Sequence, residues 1–207
     1  MRSIRVATLV AVGLALAWAS APAAATPGSA LAPFFQRLRA HGRADARLVR
    51  EIEGVPGAKA PIPGHVTLEP PDRARLDFDQ TGERVTMRSD GGEWLQPRLR
   101  QCVKLGPARA RAALAWWDLL LGLDRDAFTE RVLAAHRVLI VRSSEGLAAD
   151  SAWISLDSAG LPTRIEVQPE GGLRETYRLS GWRFAAARGR ADFVIRPPAD
   201  FEVVDLP

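Results

Sequence analysis

The segment PGHVTLEPPDRARLDFD, residues 63–79, contains two stretches in which polar and apolar side chains alternate. The first stretch covers residues 65–69 and is stopped by Pro70 and Pro71, and the second covers residues 75–79. Alternation with a period of two places the apolar side chains on one face of a β-strand and the polar ones on the other. The segment therefore predicts two strands joined by a short turn, with one face against a core and the other in water.

The same pattern continues on both sides of this segment. Residues 47–52 and 84–87 read as further strands, and Asp90-Gly91-Gly92 is a hairpin signal that leads into a strand containing Trp94. Later in the chain, short runs of strand-forming residues predict further strands over residues 137–142, 152–157, 164–168, 175–179, 182–185 and 193–196.

Two regions have helical spacing instead. The first has an apolar stripe at i, i+3, i+4 and i+7, formed by Leu31, Phe34, Phe35 and Leu38, and Gly42 can end it. The second covers residues 107–136 and has an apolar face formed by Ala110, Leu114, Trp117 and Leu121, followed by a further helix carrying Phe128 and Val132. Strands around a central helical region predict a mostly-β domain, a curved antiparallel sheet or open barrel with helices against one side.

The first 25 residues have the pattern of a secretory signal peptide. Arg2 and Arg5 precede an apolar run over residues 6–18, and Ala23-Ala24-Ala25 supplies a cleavage site. The run is shorter than the roughly 20 residues that a membrane-spanning helix needs. We therefore expect cleavage after Ala25 and a soluble, exported product that forms one domain over residues 26–207.

Composition narrows the range of functions. The chain has 207 residues, 47% of them hydrophobic, and a single cysteine, which excludes an intrachain disulfide framework. The formal net charge of +4 falls to +2 once Arg2 and Arg5 are removed, and the basic residues are interleaved with 24 acidic ones. So small a charge gives no general affinity for polyanions, and no nucleic-acid partner is expected.

Motifs typical of catalytic, metal-binding or phosphate-binding sites are sparse. The three histidines, His41, His65 and His136, lie far apart without metal-motif spacing, and the chain has neither a nucleophile elbow nor a glycine-rich phosphate loop. Cys102 lies in a strand-like run, which is typical of an inert thiol. We expect no catalytic residue, no metal site and no cofactor, with an enzyme as a minor alternative.

Tryptophan is abundant, with six residues in the chain. One of them, Trp18, lies in the predicted signal peptide, and the other five belong either to an ordinary core or to the lining of an apolar cavity on a sheet that does not close. A cavity of this kind suits a lipid, because each CH₂ group left in water costs about 0.8 kcal/mol.

Five motifs in sequence order resemble the LolA family of periplasmic carriers of outer-membrane lipoproteins. They are Pro63 to Pro71 with Arg73 to Phe78; Ser89 to Trp94 with Pro97; Leu119-Leu120-Leu121; Gly160-Leu161-Pro162 with Ile165; and Phe193 to Pro198. The resemblance covers residues 31–205. The position that matches the family's strand-end arginine is Pro70, and the position of the neighbouring aromatic residue is Ala74.

The resemblance implies a LolA/LolB-like, mostly-β (α+β) fold, an unclosed antiparallel β-barrel with helices forming a lid over its concave face. It also implies a soluble, monomeric periplasmic carrier that moves acylated lipoproteins or another lipid from an inner-membrane release complex toward an outer-membrane acceptor. The alternative is a lipid-sensing regulatory or adaptor module of the same fold. We expect the following side chains to line the lipid cavity: Val66, Leu68, Leu76, Phe78, Val85, Met87, Trp94, Leu114, Trp117 and Leu121.

Overall fold

A computed structural model describes residues 28–53, 61–113, 115–122, 128–134, 136–142, 150–168 and 173–207. The predicted signal peptide and Leu114 lie outside these residues. Within them the chain forms three α-helices and one twelve-stranded sheet. The helices are α1 (Ala32–His41), α2 (Pro107–Ala113) and α3 (Ala115–Leu121). The strands are β1 (Arg43–Ile52), β2 (Ile62–Glu69), β3 (Arg73–Phe78), β4 (Arg84–Arg88), β5 (Gly91–Gln96), β6 (Gln101–Leu105), β7 (Phe128–Ala134), β8 (Arg137–Arg142), β9 (Asp150–Leu156), β10 (Pro162–Gln168), β11 (Glu175–Ala185) and β12 (Glu202–Leu206).

The sheet has the strand order β12-β6-β5-β4-β3-β2-β1-β11-β10-β9-β8-β7, so among the described residues it ends in two edges and is not closed. The neighbours pair antiparallel except for β12, which runs parallel to β6. The prediction of a mostly-β fold with helices and an unclosed sheet is thus confirmed. The edge strand β12 departs from the predicted antiparallel barrel because it pairs parallel with β6.

The segment that predicts the fold forms β2 and β3. Val66 pairs with Leu76 and Gly64 pairs with Phe78, so the apolar side chains share one face, here called the inner face. A Cβ atom on Gly64 would lie 2.1 Å from the carbonyl oxygen of Asp77, which no side chain tolerates. Glycine therefore allows the two backbones to approach closely at this point.

The helices cover the inner face. On α1, Phe34 is fully buried and packs edge-on against Trp182 of β11, with ring centroids 4.9 Å apart. On α3, Trp117 packs edge-on against Tyr177 of the same strand at 5.3 Å. The core thus lies between one face of the sheet and the helices, as the apolar stripes predict.

Three sequence-based predictions of secondary structure are wrong. Residues 128–134 form the edge strand β7, not the end of a helix. Residues 175–185 form one strand with a bulge at Gly181, whose φ of 65° few other residues adopt. The sequence predicts a strand over residues 193–196, but residues 190–193 form a 3₁₀ turn, residues 194–196 form no strand, and the last strand is β12.

The outer face of the sheet is partly covered by the segment that leads into β12, here called the crossing segment, residues 186–201. Glu69 is fully buried and accepts hydrogen bonds from the backbone N–H groups of Arg188 (2.6 Å) and Gly189 (3.0 Å). Further along, Arg75 donates to the carbonyl oxygen of Asp192 at 2.8 Å. Carboxylate and guanidinium groups of the sheet therefore satisfy the backbone of a segment that has no sheet pairing of its own.

The carboxylate of Asp77, on the outer face, should make the stability of the fold depend on pH. Partial burial by itself would raise the pKa of Asp77, but hydrogen bonds from Arg75 and Arg84 outweigh it and hold the pKa below its ordinary value of 3.8. A depressed carboxyl pKa contributes stability that is present above the unfolded-state pKa and is lost as the pH falls through the folded-state pKa. We expect Asp77→Asn to lower the free energy of unfolding by about 1 kcal/mol at pH 6. This difference from the original chain should fade as the pH falls below 3.8. Urea titrations at several pH values measure this, and a difference that stays constant with pH would contradict it.

Candidate functional site

A cavity of about 180 Å³ lies on the inner face of the sheet. Most of its lining is apolar and comes from Leu76, Phe78, Val85, Trp94 and Leu105. The remaining wall, here called the polar wall, consists of Arg50, Glu83, Glu175 and Tyr177. The cavity can therefore hold an apolar group with a polar group beside it.

Curvature of the sheet creates this cavity. Leu105 lies on β6 and Tyr177 on β11, six strand positions apart in the sheet. In a flat sheet these strands would be about 29 Å apart, at about 4.8 Å per strand. Because both side chains line one cavity, the sheet must curl around its inner face, as an unclosed barrel does.

The apolar part of the lining follows from cross-strand pairing. Leu76 pairs with Val85, and Val85 pairs with Trp94, so these three side chains form a row across β3, β4 and β5. Leu76 and Phe78 are buried, whereas Val85 and Trp94 are half-buried. The row therefore runs from the core toward the more exposed part of the cavity.

The polar wall is organised around Glu175. Arg50 donates from Nη2 to one oxygen of Glu175 at 2.8 Å, and the hydroxyl of Tyr177 donates to the other. Burial raises the pKa of Tyr177, and the nearby charge of Glu175 raises it further, so the phenol stays neutral at physiological pH. The guanidinium of Arg50 also lies over the ring of Phe78, 5.7 Å from its centroid.

Two nitrogen atoms of the lining residues lack a partner. Nε of Arg50 and Nε1 of Trp94 are both shielded from solvent, and neither has a hydrogen-bond acceptor among the residues that the structure describes. A buried donor without an acceptor costs about 1 to 3 kcal/mol. Both donors belong to residues of the cavity lining, but the nitrogen atoms themselves are enclosed by protein and do not face the cavity.

The structure brings together four of the ten side chains that the sequence predicts for the lipid cavity: Leu76, Phe78, Val85 and Trp94. Five others are buried in the surrounding core and do not line the cavity: Val66, Leu68, Met87, Trp117 and Leu121. The tenth, Leu114, lies outside the described residues. Val66, Leu68 and Met87 nevertheless share the inner face with the lining residues.

The sequence reasoning misses Leu105 and the whole polar wall. Arg50 has a recognisable signal, because Ala46, Leu48 and Arg50 follow one another at period two and the first two are buried. A charged residue at an apolar position of an alternating strand indicates a buried ion pair or a binding site. The position of Glu175, 125 residues away in sequence, has no such local signal.

The volume limits what the cavity holds. An engineered cavity of about 150 Å³ binds benzene, and pockets for drug-sized ligands have about 300–1,000 Å³. The present cavity therefore accommodates one end of an alkyl chain. A whole acyl chain requires the side chains around it, or the helices over the inner face, to move apart.

Other site types are not seen in the part of the chain that the structure describes. There, no three His, Cys, Asp or Glu side chains come together as a metal site would require. The helices of the same residues include none with the length and apolar character to cross a membrane. Cys102 is buried, and burial raises the pKa of its thiol.

Comparison with solved structures gives similar chains at low sequence identity. An uncharacterized conserved protein from Thermus thermophilus is 15% identical, with 84% of this chain and 97% of that chain covered and a TM-score of 0.47. A LolA superfamily protein from Nitrosomonas europaea is 7% identical, with 78% and 96% covered and a TM-score of 0.42. A putative outer membrane lipoprotein-sorting protein domain from Vibrio parahaemolyticus is 10% identical, with 79% and 95% covered and a TM-score of 0.44. No family model and no curated protein matches the chain.

Proposed function

We propose that this protein binds an acyl chain of a lipidated protein in the inner-face cavity and carries it through the periplasm from the inner toward the outer membrane. The observation that carries the proposal is the mostly apolar cavity that the unclosed sheet forms with Leu76, Phe78, Val85, Trp94 and Leu105. Moving an acyl chain through water costs about 0.8 kcal/mol for each exposed CH₂ group, so a carrier needs an apolar site of this kind. The signal-peptide pattern supports export, and no chemical step is part of the proposal.

A release assay tests the proposal. The purified chain, without residues 1–25, is added to spheroplasts that display a triacylated lipoprotein, with an unacylated version of the same lipoprotein as the control. We expect a soluble one-to-one complex that forms only with the acylated protein. Absence of release together with absence of binding to a fluorescent acyl probe would overturn the proposal. Probe binding without release would support the cavity and contradict the lipoprotein as cargo.

A further inference from the structure

We propose that the outer face of strands β7 to β11 docks onto a membrane surface that carries anionic lipid headgroups. The inference goes beyond the proposed function, because this face lies on the opposite side of the sheet from the cavity and the docking requires no acyl ligand. It rests on two neighbouring rows of side chains that the strand register places on the outer face.

The first row, here called the basic row, contains three arginines. Arg137 of β8 and Arg164 of β10 both pair with Ser155 of β9, and Arg164 also pairs with Arg178 of β11. The residue that follows each arginine is buried in the core, so the arginines themselves lie on the outer face. Their side chains are 49%, 42% and 58% exposed. The row therefore presents three guanidinium groups to the surroundings of the sheet.

Stability of the sheet does not explain the basic row. Arg164 and Arg178 stand directly opposite each other, and like charges in this position destabilise a sheet. Two carboxylates offset part of the charge: Glu166 lies 2.7 Å from Arg164 and 3.5 Å from Arg137, and Glu51 lies 3.1 Å from Arg178. Because Glu166 is shared between two arginines, the basic row and its partners keep a formal charge of +1 (+3 − 2).

The second row adds apolar surface and a further charge. Trp153 of β9 pairs with Leu139 of β8, and Leu139 pairs with the exposed Arg131 of β7. Trp153 and Leu139 are half-buried, so each presents part of its apolar surface outward. Tryptophan is the side chain that favours the boundary between lipid and water. At the margin of the two rows, Val132 and Leu133 of the edge strand β7 are 55% and 45% exposed.

An anionic bilayer matches both properties of this face. Each basic side chain close to such a surface strengthens binding about fivefold, and half-exposed apolar side chains between the charges can enter the headgroup region. The other half of the outer face differs, because there Arg75 and Arg88 donate to backbone carbonyl oxygens of the crossing segment. In the described residues, the partners of the basic row are only the carboxylates of Glu51 and Glu166.

Co-sedimentation with vesicles tests the inference. The purified chain, without residues 1–25, is mixed with vesicles of phosphatidylcholine alone or of equal parts of phosphatidylcholine and phosphatidylglycerol. We expect binding to the vesicles that contain phosphatidylglycerol and at least about tenfold weaker binding to the others. Binding should weaken as the salt concentration rises from about 0.01 M to about 0.15 M, because the Debye length shortens from about 30 Å to about 8 Å.

Three variants assign the binding to the two rows. Arg137→Gln combined with Arg178→Gln removes two charges of the basic row, and we expect at least about tenfold weaker vesicle binding. Trp153→Ser removes the aromatic ring and should weaken binding without changing its salt dependence. The matched control is Arg100→Gln combined with Arg190→Gln, which removes the same charge from side chains that are 65% and 64% exposed and lie outside the two rows. The control should bind vesicles like the original chain.

Binding of a fluorescent acyl probe, measured on the same samples without vesicles, keeps this inference separate from the proposed function. We expect every variant to bind the probe like the original chain, which also shows that it is folded. Absence of binding to the anionic vesicles, equal binding to both kinds of vesicle, or equal losses in the two double variants would overturn the inference. A chain that binds anionic vesicles as expected but no acyl probe would overturn the proposed function and leave this inference standing.

Discussion

Replacing Glu69 by alanine is expected to lower the free energy of unfolding by about 3 to 5 kcal/mol, because it removes one partner of a buried ion pair. Glu69 is fully buried and lies 2.7 Å from Nη2 of Arg73. Its carboxylate also accepts the backbone N–H groups of Arg188 and Gly189. The variant thus removes the acceptor of two backbone donors and the ion-pair partner of Arg73, whose guanidinium keeps the carbonyl oxygen of Pro70 at 3.3 Å, and it detaches the start of the crossing segment. Urea-induced unfolding followed by far-UV circular dichroism measures the loss.

Two further variants define the origin of that loss. Glu53→Ala makes the same change at a side chain that is 61% exposed and pairs with Arg174 at 3.9 Å, and we expect it to cost less than about 1 kcal/mol. Glu69→Gln retains a carbonyl oxygen as an acceptor and should fall between the two alanine variants. If Glu69→Ala unfolds no more easily than Glu53→Ala, the crossing segment is not held by this carboxylate.

Val85→Trp is expected to weaken the binding of an acyl probe at least tenfold without destabilising the fold. Val85 is half-buried and stands between Leu76 and Trp94 in the apolar row of the cavity. A tryptophan here places its ring in the volume of about 180 Å³ that the ligand would occupy. Filling an existing cavity adds apolar contacts, so stability should be retained or should rise. Fluorescence titration with the probe and thermal unfolding of the same samples measure both effects.

Val203→Trp provides the comparison for that experiment. Val203 lies on β12, is 44% exposed and is absent from the cavity lining. We expect this variant to bind the probe like the original chain. Equal affinity in both tryptophan variants would show that the probe binds elsewhere.

Part of the sheet could be predicted from the sequence because several of its strands alternate. Strands β2, β3 and β4 have one apolar and one polar face, and a period of two is a local property of the chain. Helix α1 is equally clear, since its buried residues Phe34, Phe35 and Leu38, with Leu31 just before the helix, follow the helical period. In these elements local pattern and tertiary burial agree.

The errors come from segments where the local pattern is ambiguous or absent. Phe128 and Val132 are four residues apart, which fits one face of a helix and also one face of a strand, and pairing with β8 decides for the strand. Strand β12 has no fully buried side chain, and the adjacent Val203 and Val204 break alternation over its five residues; it joins the edge of the sheet through its backbone. Neither outcome can be read from residues that are neighbours in sequence.

The candidate site, like the fold, could be predicted from the sequence only in part. The row of Leu76, Val85 and Trp94 follows from alternation, because three adjacent strands place these side chains on one face. The polar wall depends on curvature, which brings Arg50 of β1 and Glu175 of β11 to the same cavity as Leu105 of β6. Curvature is a property of the whole sheet, so only the three-dimensional structure shows which side chains of the inner face meet.

Photo-cross-linking with an acyl probe that carries a diazirine near its methyl end tests the central claim most directly. The claim is that the inner-face cavity binds an acyl chain. We predict saturable labelling at one probe per chain, with the modified residues on the peptides that contain Leu76, Val85 and Trp94, and loss of labelling in Val85→Trp. Labelling that does not saturate, or that maps to the exposed Val132 and Leu133 of the edge strand β7, would contradict the claim.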